Sequence, residues 1–358
     1  MSQRSVVLVA GSGRSGTSLF AGIMQRLGYT VPGPEVPADE TNPRGFAESQ
    51  WVVDFHTRLL RRAGVQVADA RPAAWAHTAR VCLDAEVASE LRGWLQGHLA
   101  LNRHLIVKDP RISWFAPLWR RCAGELGAAP RFVTMLRHPA AVIESKQRWY
   151  GGRQGEISRA AGWVNQTLFT ERATRESPRA FVRYDDLLED WTHTVGRVAE
   201  TLDLRPVRDA SPQEMRAVHE FVDQGLRRSQ GDWERLALPE SLRTQTEEAW
   251  QLVCALAGEE DAESRARLDA LRSAYTDLYA EAEAFAHSSI AAAHATAPAA
   301  NGHVPAPATW LIRRVPVRYK RRIPPRVRTR VIRAMSAATN RVASGRHAGD
   351  RPPAVRAA

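Results

Sequence analysis

Short apolar runs alternate with longer stretches of helical periodicity from the N-terminus to about residue 190. The runs at 6–10, 104–107, 131–136 and 181–184 are rich in residues that favour strands. Between them, apolar residues recur about every three to four positions, as they do on the buried face of an amphipathic helix. Connections of this length join parallel strands. The pattern therefore predicts an α/β fold with a doubly wound parallel sheet flanked by helices.

The last third of the chain has a different pattern. Residues 212–286 carry only helical periodicity, which predicts a helical C-terminal part of the fold. An Ala/Pro-rich stretch without periodicity follows and is typical of a linker. We therefore predict one α/β domain over 1–290, a linker over 291–309 and a flexible basic tail over 310–358.

A glycine-rich turn follows the first strand. Residues 11–18 read Gly-Ser-Gly-Arg-Ser-Gly-Thr-Ser and lead directly into a helical pattern. Such a turn directs backbone N–H groups at a ligand, and the dipole of the following helix favours an anion there. The hydroxyls of Ser15, Thr17 and Ser18 and the guanidinium of Arg14 add further donors. The turn therefore predicts a phosphate-binding loop on a P-loop-like sheet.

This loop departs from the Walker A pattern of nucleotide triphosphatases. Gly11 and Gly16 have the required spacing, but Thr17 stands where the lysine belongs. The nearest cation is Arg14, so the lysine that usually bridges the β- and γ-phosphates is missing. Either the loop is a degenerate P-loop, or it binds a different phosphorylated donor.

The loop resembles the 5′-phosphosulfate loop of sulfotransferases, which use 3′-phosphoadenosine 5′-phosphosulfate (PAPS). In that family a Lys or Arg precedes Ser-Gly-Thr, as Arg14 does here. The resemblance implies that Arg14 acts in catalysis and that PAPS is bound by Gly13, Arg14, Ser15, Gly16, Thr17 and Ser18.

Three further segments resemble the same family. Arg137 is followed eight residues later by Ser145, the spacing of the pair that binds the donor's 3′-phosphate in sulfotransferases. Tyr184 opens a Tyr-Asp-Asp-Leu segment similar to the one whose tyrosine contacts the adenine region. Arg227 and Arg228 are candidates for the late basic element that closes over the 3′-phosphate.

The catalytic base is harder to place. Lys108 follows the second strand, as a lysine does in cytosolic sulfotransferases, but Pro110 stands where that branch has its histidine base. The chain looks more like branches that use a glutamate just over twenty residues beyond the basic loop residue. The resemblance then implies catalytic roles for Lys108 and Glu35. The rival carboxylates, which we assign to acceptor binding, are Glu40, Glu48 and Asp109.

Together these segments predict transfer of a sulfuryl group from PAPS to a hydroxyl of a glycan, glycolipid or small molecule. No metal is expected, because the sequence has no convincing set of metal ligands. Loops at 29–47, 65–80 and 150–157 are expected to shape the acceptor pocket, and residues 65–80 are predicted to be irregular.

Two alternative functions stay open. Residues 105–109 are a weak Walker B match, which permits a P-loop ATP-dependent phosphotransferase with a degenerate Walker A. The chain could also be a non-catalytic binding protein attached to a membrane or to nucleic acid by its tail.

Charge separates the tail from the rest of the chain. The formal net charge is +11, yet residues 310–358 hold fourteen basic residues and one acid, so the preceding residues are nearly neutral. Interleaved apolar residues favour an anionic membrane surface as the partner of the tail over nucleic acid, which we do not expect. A tail that is merely solvated is the alternative.

Cysteine usage and hydropathy indicate the compartment. The three cysteines, Cys82, Cys122 and Cys254, have neither metal-ligand spacing nor an even-numbered framework. The sequence has no apolar run of the roughly 20 residues that span a bilayer. We therefore expect a cytoplasmic protein, peripheral on the inner membrane face if the tail binds lipid.

Overall fold

Four parallel strands form the centre of the fold. The computed structural model describes residues 4–151, 154–222, 231–258 and 260–296. Within these residues the sheet has the order β2-β1-β3-β4, so β1 is an inner strand. Leu8 of β1 pairs with Val107 on one side and with Phe132 on the other. The strands are β1 (Ser5–Ala10), β2 (His104–Lys108), β3 (Ala129–Leu136) and β4 (Arg179–Arg183).

Helices connect the strands and continue beyond the last of them. α1 to α4 lie between β1 and β2, α5 between β2 and β3, and α6 and α7 between β3 and β4. The described helices are α1 (Thr17–Arg26), α2 (Gln50–Ala63), α3 (Ala74–Cys82), α4 (Ala85–Leu101), α5 (Ile112–Glu125), α6 (Pro139–Tyr150), α7 (Glu156–Thr174), α8 (Tyr184–Glu189), α9 (Trp191–Thr201), α10 (Arg205–Arg208), α11 (Pro212–Phe221), α12 (Glu240–Ala255) and α13 (Ala262–Thr296).

Both faces of the sheet are covered. Val6 and Leu8 of β1 pack into a core formed with α2, α3, α4 and α5. Val7 and Val9 point to the opposite face and pack against α1, α9 and α11. Every residue of β1 is buried, which explains why residues 6–10 are a continuous apolar run without polar alternation. The predicted α/β fold, with its parallel sheet, flanking helices and helical C-terminal part, is confirmed.

Two segments differ from the sequence prediction. The stretch 65–80, predicted to be irregular, contains most of α3, which buries Trp75, Thr78 and Val81 at helical spacing. α13 continues to Thr296 and so extends six residues into the predicted linker. Alanine is the strongest helix former, and the alanines at the start of that stretch continue the helix.

The described residues up to His287 belong to one compact unit. The boundaries 1–290, 291–309 and 310–358 remain predictions, since the basic tail lies outside the described residues. None of the helices in the described part of the chain is both long and apolar enough to cross a bilayer.

Candidate functional site

The loop between β1 and α1 is held in a conformation that requires glycine at two positions. Gly11 has φ 120°, and a Cβ there would lie 2.6 Å from the Met135 carbonyl oxygen. Gly16 has φ 88°, and a Cβ there would overlap the Tyr184 ring. Both angles lie in the left-handed region that L side chains avoid. The two glycines thus let the loop pass close to the end of β3 and to Tyr184.

The N-terminus of α1 is open to an anion. Gly16 is the N-cap residue and provides no side-chain hydrogen bond, and the first turn of α1 carries no acidic residue. The first N–H groups of a helix have no partner within the helix, so they and the helix dipole favour a bound anion. Thr17 is buried, and Ser18 is half-buried beside it.

Arg14 is fixed from three directions. Its Nε donates to Ser145 Oγ at 3.0 Å and its Nη1 to the Thr41 carbonyl oxygen at 3.3 Å. Its own carbonyl oxygen accepts a hydrogen bond of 3.0 Å from Arg137 Nη1. Arg14 also has φ 78°, a conformation that costs a non-glycine residue about 1–2 kcal/mol. The surrounding hydrogen bonds therefore hold a strained backbone at this point.

The predicted donor residues from β3 and β4 lie beside the loop. The Arg137 guanidinium stands 4.7 Å from the Tyr184 ring, with which it makes a cation–π contact. Burial lowers the pKa of Arg137. The side chains of Arg137 and Tyr184 are both buried. Ser145 lies on α6, the helix that follows Arg137. The structure thus brings Arg137 and Ser145 into contact with Arg14, although each lies more than 120 residues from Arg14 in the sequence.

Lys108, at the end of β2, links the loop to a carboxylate. Its Nζ donates to Glu48 Oε1 at 2.5 Å and to Ser18 Oγ at 3.1 Å. Only 9% of Glu48 is exposed, and burial raises its pKa despite the opposing charge of Lys108. Such a carboxylate is a better proton acceptor than an ordinary exposed glutamate.

The other predicted carboxylates are not brought to this place. Glu35 is exposed and accepts a hydrogen bond of 2.9 Å from Gln25. Glu40 is exposed as well. Asp109 is fully buried, where it contacts His56 at 3.0 Å and Arg111 at 2.9 Å. Burial opposes ionisation of Asp109, but these two partners outweigh it and lower its pKa.

Most of the predicted residues line one large cavity. The cavity has a volume of about 750 Å³ and lies over the loop. Ser15, Glu35, Glu40 and Asp109 are not among its lining residues, and the predicted residues Arg227 and Arg228 lie outside the described part of the chain. The predicted residues that line it are Gly13, Arg14, Gly16, Thr17, Ser18, Glu48, Lys108, Arg137, Ser145 and Tyr184.

The cavity wall is strongly basic. Among the described residues, its lining contains two carboxylates, Glu48 and Glu144. Segments 41–46 and 66–68, which belong to loops expected to shape the acceptor pocket, contribute to the wall. The balance of charge favours a ligand with several negative charges. The basic side chains are Arg14, Arg44, Lys108, Arg111, Arg137, Lys146, Arg148 and Arg159.

Sequence reasoning missed some of these basic residues. The chain has only three lysines among its 50 basic residues, and two of them, Lys108 and Lys146, line the cavity. Because lysine is rare in this arginine-rich chain, the presence of a lysine directly after Ser145 could have indicated that Lys146 belongs to the site. Arg111 carried a weaker signal, since it follows the end of β2. Among the described residues, no group of three or more His, Cys, Asp or Glu side chains is placed to hold a metal ion.

Comparison with known proteins gives the family. Two solved structures resemble the chain: the sulfotransferase domain of the Synechococcus PCC 7002 olefin synthase (19% identity, 70% of this chain and 95% of that one, TM-score 0.43) and sulfotransferase STF1 from Mycobacterium tuberculosis H37Rv (14%, 70% and 77%, TM-score 0.37). A search of curated proteins finds no match. The model of the sulfotransferase family matches residues 7–209, more than half of the chain. This protein therefore belongs to the sulfotransferase family.

Proposed function

We propose that this sulfotransferase uses PAPS as its donor and a hydroxyl group of a glycan, glycolipid or small molecule as its acceptor. The observation that carries the proposal is the hydrogen-bonded connection between two anion-binding elements. Arg14 of the loop donates to Ser145, and Arg137 donates to the Arg14 backbone. PAPS has two anionic groups, a 5′-phosphosulfate and a 3′-phosphate, so a donor of this kind matches two adjoining basic elements.

The donor set suits this molecule. In the proposal, the loop residues that line the cavity, Gly13, Arg14, Gly16, Thr17 and Ser18, bind the 5′-phosphosulfate with backbone N–H groups and side-chain donors. Arg137 and Ser145 bind the 3′-phosphate, since a guanidinium can donate two parallel hydrogen bonds to a phosphate. Tyr184 contacts the adenine region. When bound, PAPS supplies the sulfuryl group for transfer, and adenosine 3′,5′-bisphosphate (PAP) is the other product.

The Glu48–Lys108 pair supplies the acid–base chemistry. A carboxylate oxygen of Glu48 accepts the proton of the acceptor hydroxyl, which leaves an oxygen able to attack. The raised pKa of Glu48 suits this role. Lys108 and Arg14 provide positive charge where negative charge develops on the departing phosphate oxygen. Glu48 replaces Glu35 as our candidate base because Glu48 lines the cavity and Glu35 does not.

Titration with nucleotides tests the choice of donor. We expect the purified protein to bind PAP more tightly than ATP with magnesium, because Arg137 and Ser145 recognise a 3′-phosphate that ATP lacks. Isothermal titration calorimetry measures both affinities. Tight binding of ATP without binding of PAP would instead support the phosphotransferase alternative, and binding of neither would support a non-catalytic role.

Proton uptake is a second expected result. Lys146 donates to Ser12 Oγ at 2.8 Å, and burial together with repulsion from Arg159 lowers its pKa to about 8. At pH 8 this group is about half protonated. A polyanion in the cavity favours the protonated form, so PAP binding at pH 8 should take up as much as about 0.5 proton.

Calorimetry in two buffers with different ionisation enthalpies measures this uptake. Lys146→Met should remove most of it. Uptake of the same size in wild type and variant would show that another group titrates.

The membrane contact and the cytoplasmic location predicted from the sequence stay predictions, because the tail at 310–358 lies outside the described residues.

A further inference from the structure

We propose that the acceptor carries an anionic group close to the hydroxyl that is sulfated, and that Arg111 binds this group. The inference rests on the proposed function, since it concerns the acceptor side of the same cavity. The proposed substrates are hydroxyl compounds that carry a carboxylate or phosphate, and Arg111 selects them.

Arg111 offers half of its guanidinium to the cavity. Its Nη1 donates to both carboxylate oxygens of Asp109, at 2.9 and 3.1 Å. Its backbone N–H also donates to Asp109, at 2.8 Å. Within the described residues, its Nε and Nη2 make no hydrogen bond to the protein, and the side chain lines the cavity. Two donors are therefore available to a ligand.

A buried chain of hydrogen bonds fixes this arginine. Asp109 and His56 are both fully buried. Trp119 Nε1 donates to His56 Nε2 at 2.9 Å, so His56 carries its proton on Nδ1 and donates it to Asp109 at 3.0 Å. Asp109 thus has a fixed orientation and holds Arg111 in turn. Recognition of an oxyanion by parallel hydrogen bonds needs a pre-oriented guanidinium of this kind.

The strand order assigns Arg111 to the acceptor side. Arg137 and Tyr184, the proposed contacts of the nucleotide, follow β3 and β4 on one side of β1. Arg111 follows β2 on the other side of β1, next to Lys108 and its partner Glu48. The acceptor hydroxyl must reach Glu48, so the two unused guanidinium nitrogens of Arg111 on this side face the acceptor. The PAPS anions are already matched by the loop, Arg137 and Ser145.

Three matched acceptors test the inference. The probes are 4-nitrophenyl β-D-glucoside, the corresponding glucuronide and the corresponding 6-phosphate, titrated into protein saturated with PAP. We expect one or both anionic probes to bind about tenfold more tightly than the neutral glucoside, because a charge-assisted hydrogen bond is gained. The glucuronide and the phosphate show which oxyanion is preferred. Turnover of the same probes with labelled PAPS provides the second readout.

Two variants of Arg111 identify the residue responsible. Arg111→Gln should abolish the preference for anionic probes without changing the affinity for PAP, and Arg111→Lys should retain part of it as a point charge. Circular dichroism, compared with wild type, shows whether each variant is folded. The control is Arg148→Gln, which removes another cavity arginine and should retain the preference.

The outcomes separate this inference from the proposed function. Protein that does not bind PAP refutes the proposed function itself. Protein that binds PAP but does not discriminate among the three probes overturns the inference about the acceptor. A loss of PAP affinity in the folded Arg111→Gln variant would show that Arg111 contacts the nucleotide donor. A loss of preference in Arg148→Gln equal to that in Arg111→Gln would show that the preference comes from the overall positive charge of the cavity. Either result also overturns the inference.

Discussion

Replacing Glu48 with glutamine is expected to lower the turnover number by about 10²- to 10⁴-fold, the usual contribution of a general base. Glutamine has nearly the same shape and can still accept the hydrogen bond from Lys108 Nζ, so the cavity should keep its structure. It cannot accept the proton of the acceptor hydroxyl. PAP affinity should be retained or increased, because the substitution removes a negative charge from the cavity. Initial rates with labelled PAPS, measured with an acceptor found by screening hydroxyl compounds, and calorimetry with PAP provide the two readouts.

The dependence of turnover on pH also tests whether Glu48 is the base. Burial raises the pKa of Glu48 above the ordinary value of 4.5, so the carboxyl is protonated at a higher pH than an exposed glutamate. The base form exists above that pKa, and wild-type turnover should fall as the pH drops through it. The residual turnover of Glu48→Gln should lack this acid limb.

Two further variants complete the experiment. Glu35→Gln tests the rival carboxylate. An inactive Glu35→Gln protein together with an active Glu48→Gln protein would show that Glu35 is the base. Glu86→Gln, at an exposed position of α4 outside the cavity, is the matched control for the change of charge. A Glu48→Gln protein with wild-type turnover and a wild-type acid limb would refute our assignment.

The path of one loop decides which of Glu35 and Glu48 reaches Lys108. The sequence spacing from Arg14 favours Glu35. In the fold, the loop turns back on itself: Glu35 is bridged to Ser49, and Val36 N–H donates to the Glu48 carbonyl oxygen at 2.8 Å. The two glutamates therefore lie on paired segments, yet only Glu48 meets Lys108. Spacing along the chain contains no information about this reversal.

Local signals explain what the sequence did predict. The strand–loop–helix unit at 5–26 combines an apolar β-branched run with glycines at the two positions where the backbone requires them. These signals depend on neighbouring residues and can be interpreted without the fold. α3 was missed because its helical face includes Thr78 beside Trp75, and its stability comes from packing against distant helices rather than from local propensity.

The basic wall of the cavity was hidden by composition. Forty-seven of the 50 basic residues are arginines, so an arginine such as Arg111 is not conspicuous in the sequence. Its importance follows from Asp109, His56 and Trp119, which meet in space from two helices and a strand end. Buried polar chains of this kind depend on tertiary contacts that no single segment encodes.

Replacing Arg137 with glutamine is expected to remove most of the discrimination between PAP and adenosine 5′-monophosphate (AMP). The two nucleotides differ by the 3′-phosphate. Hydrogen bonds to charged groups contribute about 1.5–3 kcal/mol, so wild-type protein should bind PAP about ten- to hundredfold more tightly than AMP. In Arg137→Gln this ratio should fall towards one, while Ser145→Ala should lose a smaller part of it. Calorimetry with both nucleotides measures the ratio for each variant.

AMP is the internal control of this experiment, because it shares every contact except those of the 3′-phosphate. Arg137 also donates to the Arg14 carbonyl oxygen, so its loss could loosen the loop and weaken both nucleotides alike. The ratio of the two affinities cancels that common effect, and Arg137→Lys, which keeps a positive charge, should restore part of the ratio but not the paired hydrogen bonds. A ratio that stays at its wild-type value in Arg137→Gln would mean that another group binds the 3′-phosphate. The two basic elements joined through Arg14 would then no longer support PAPS as the donor.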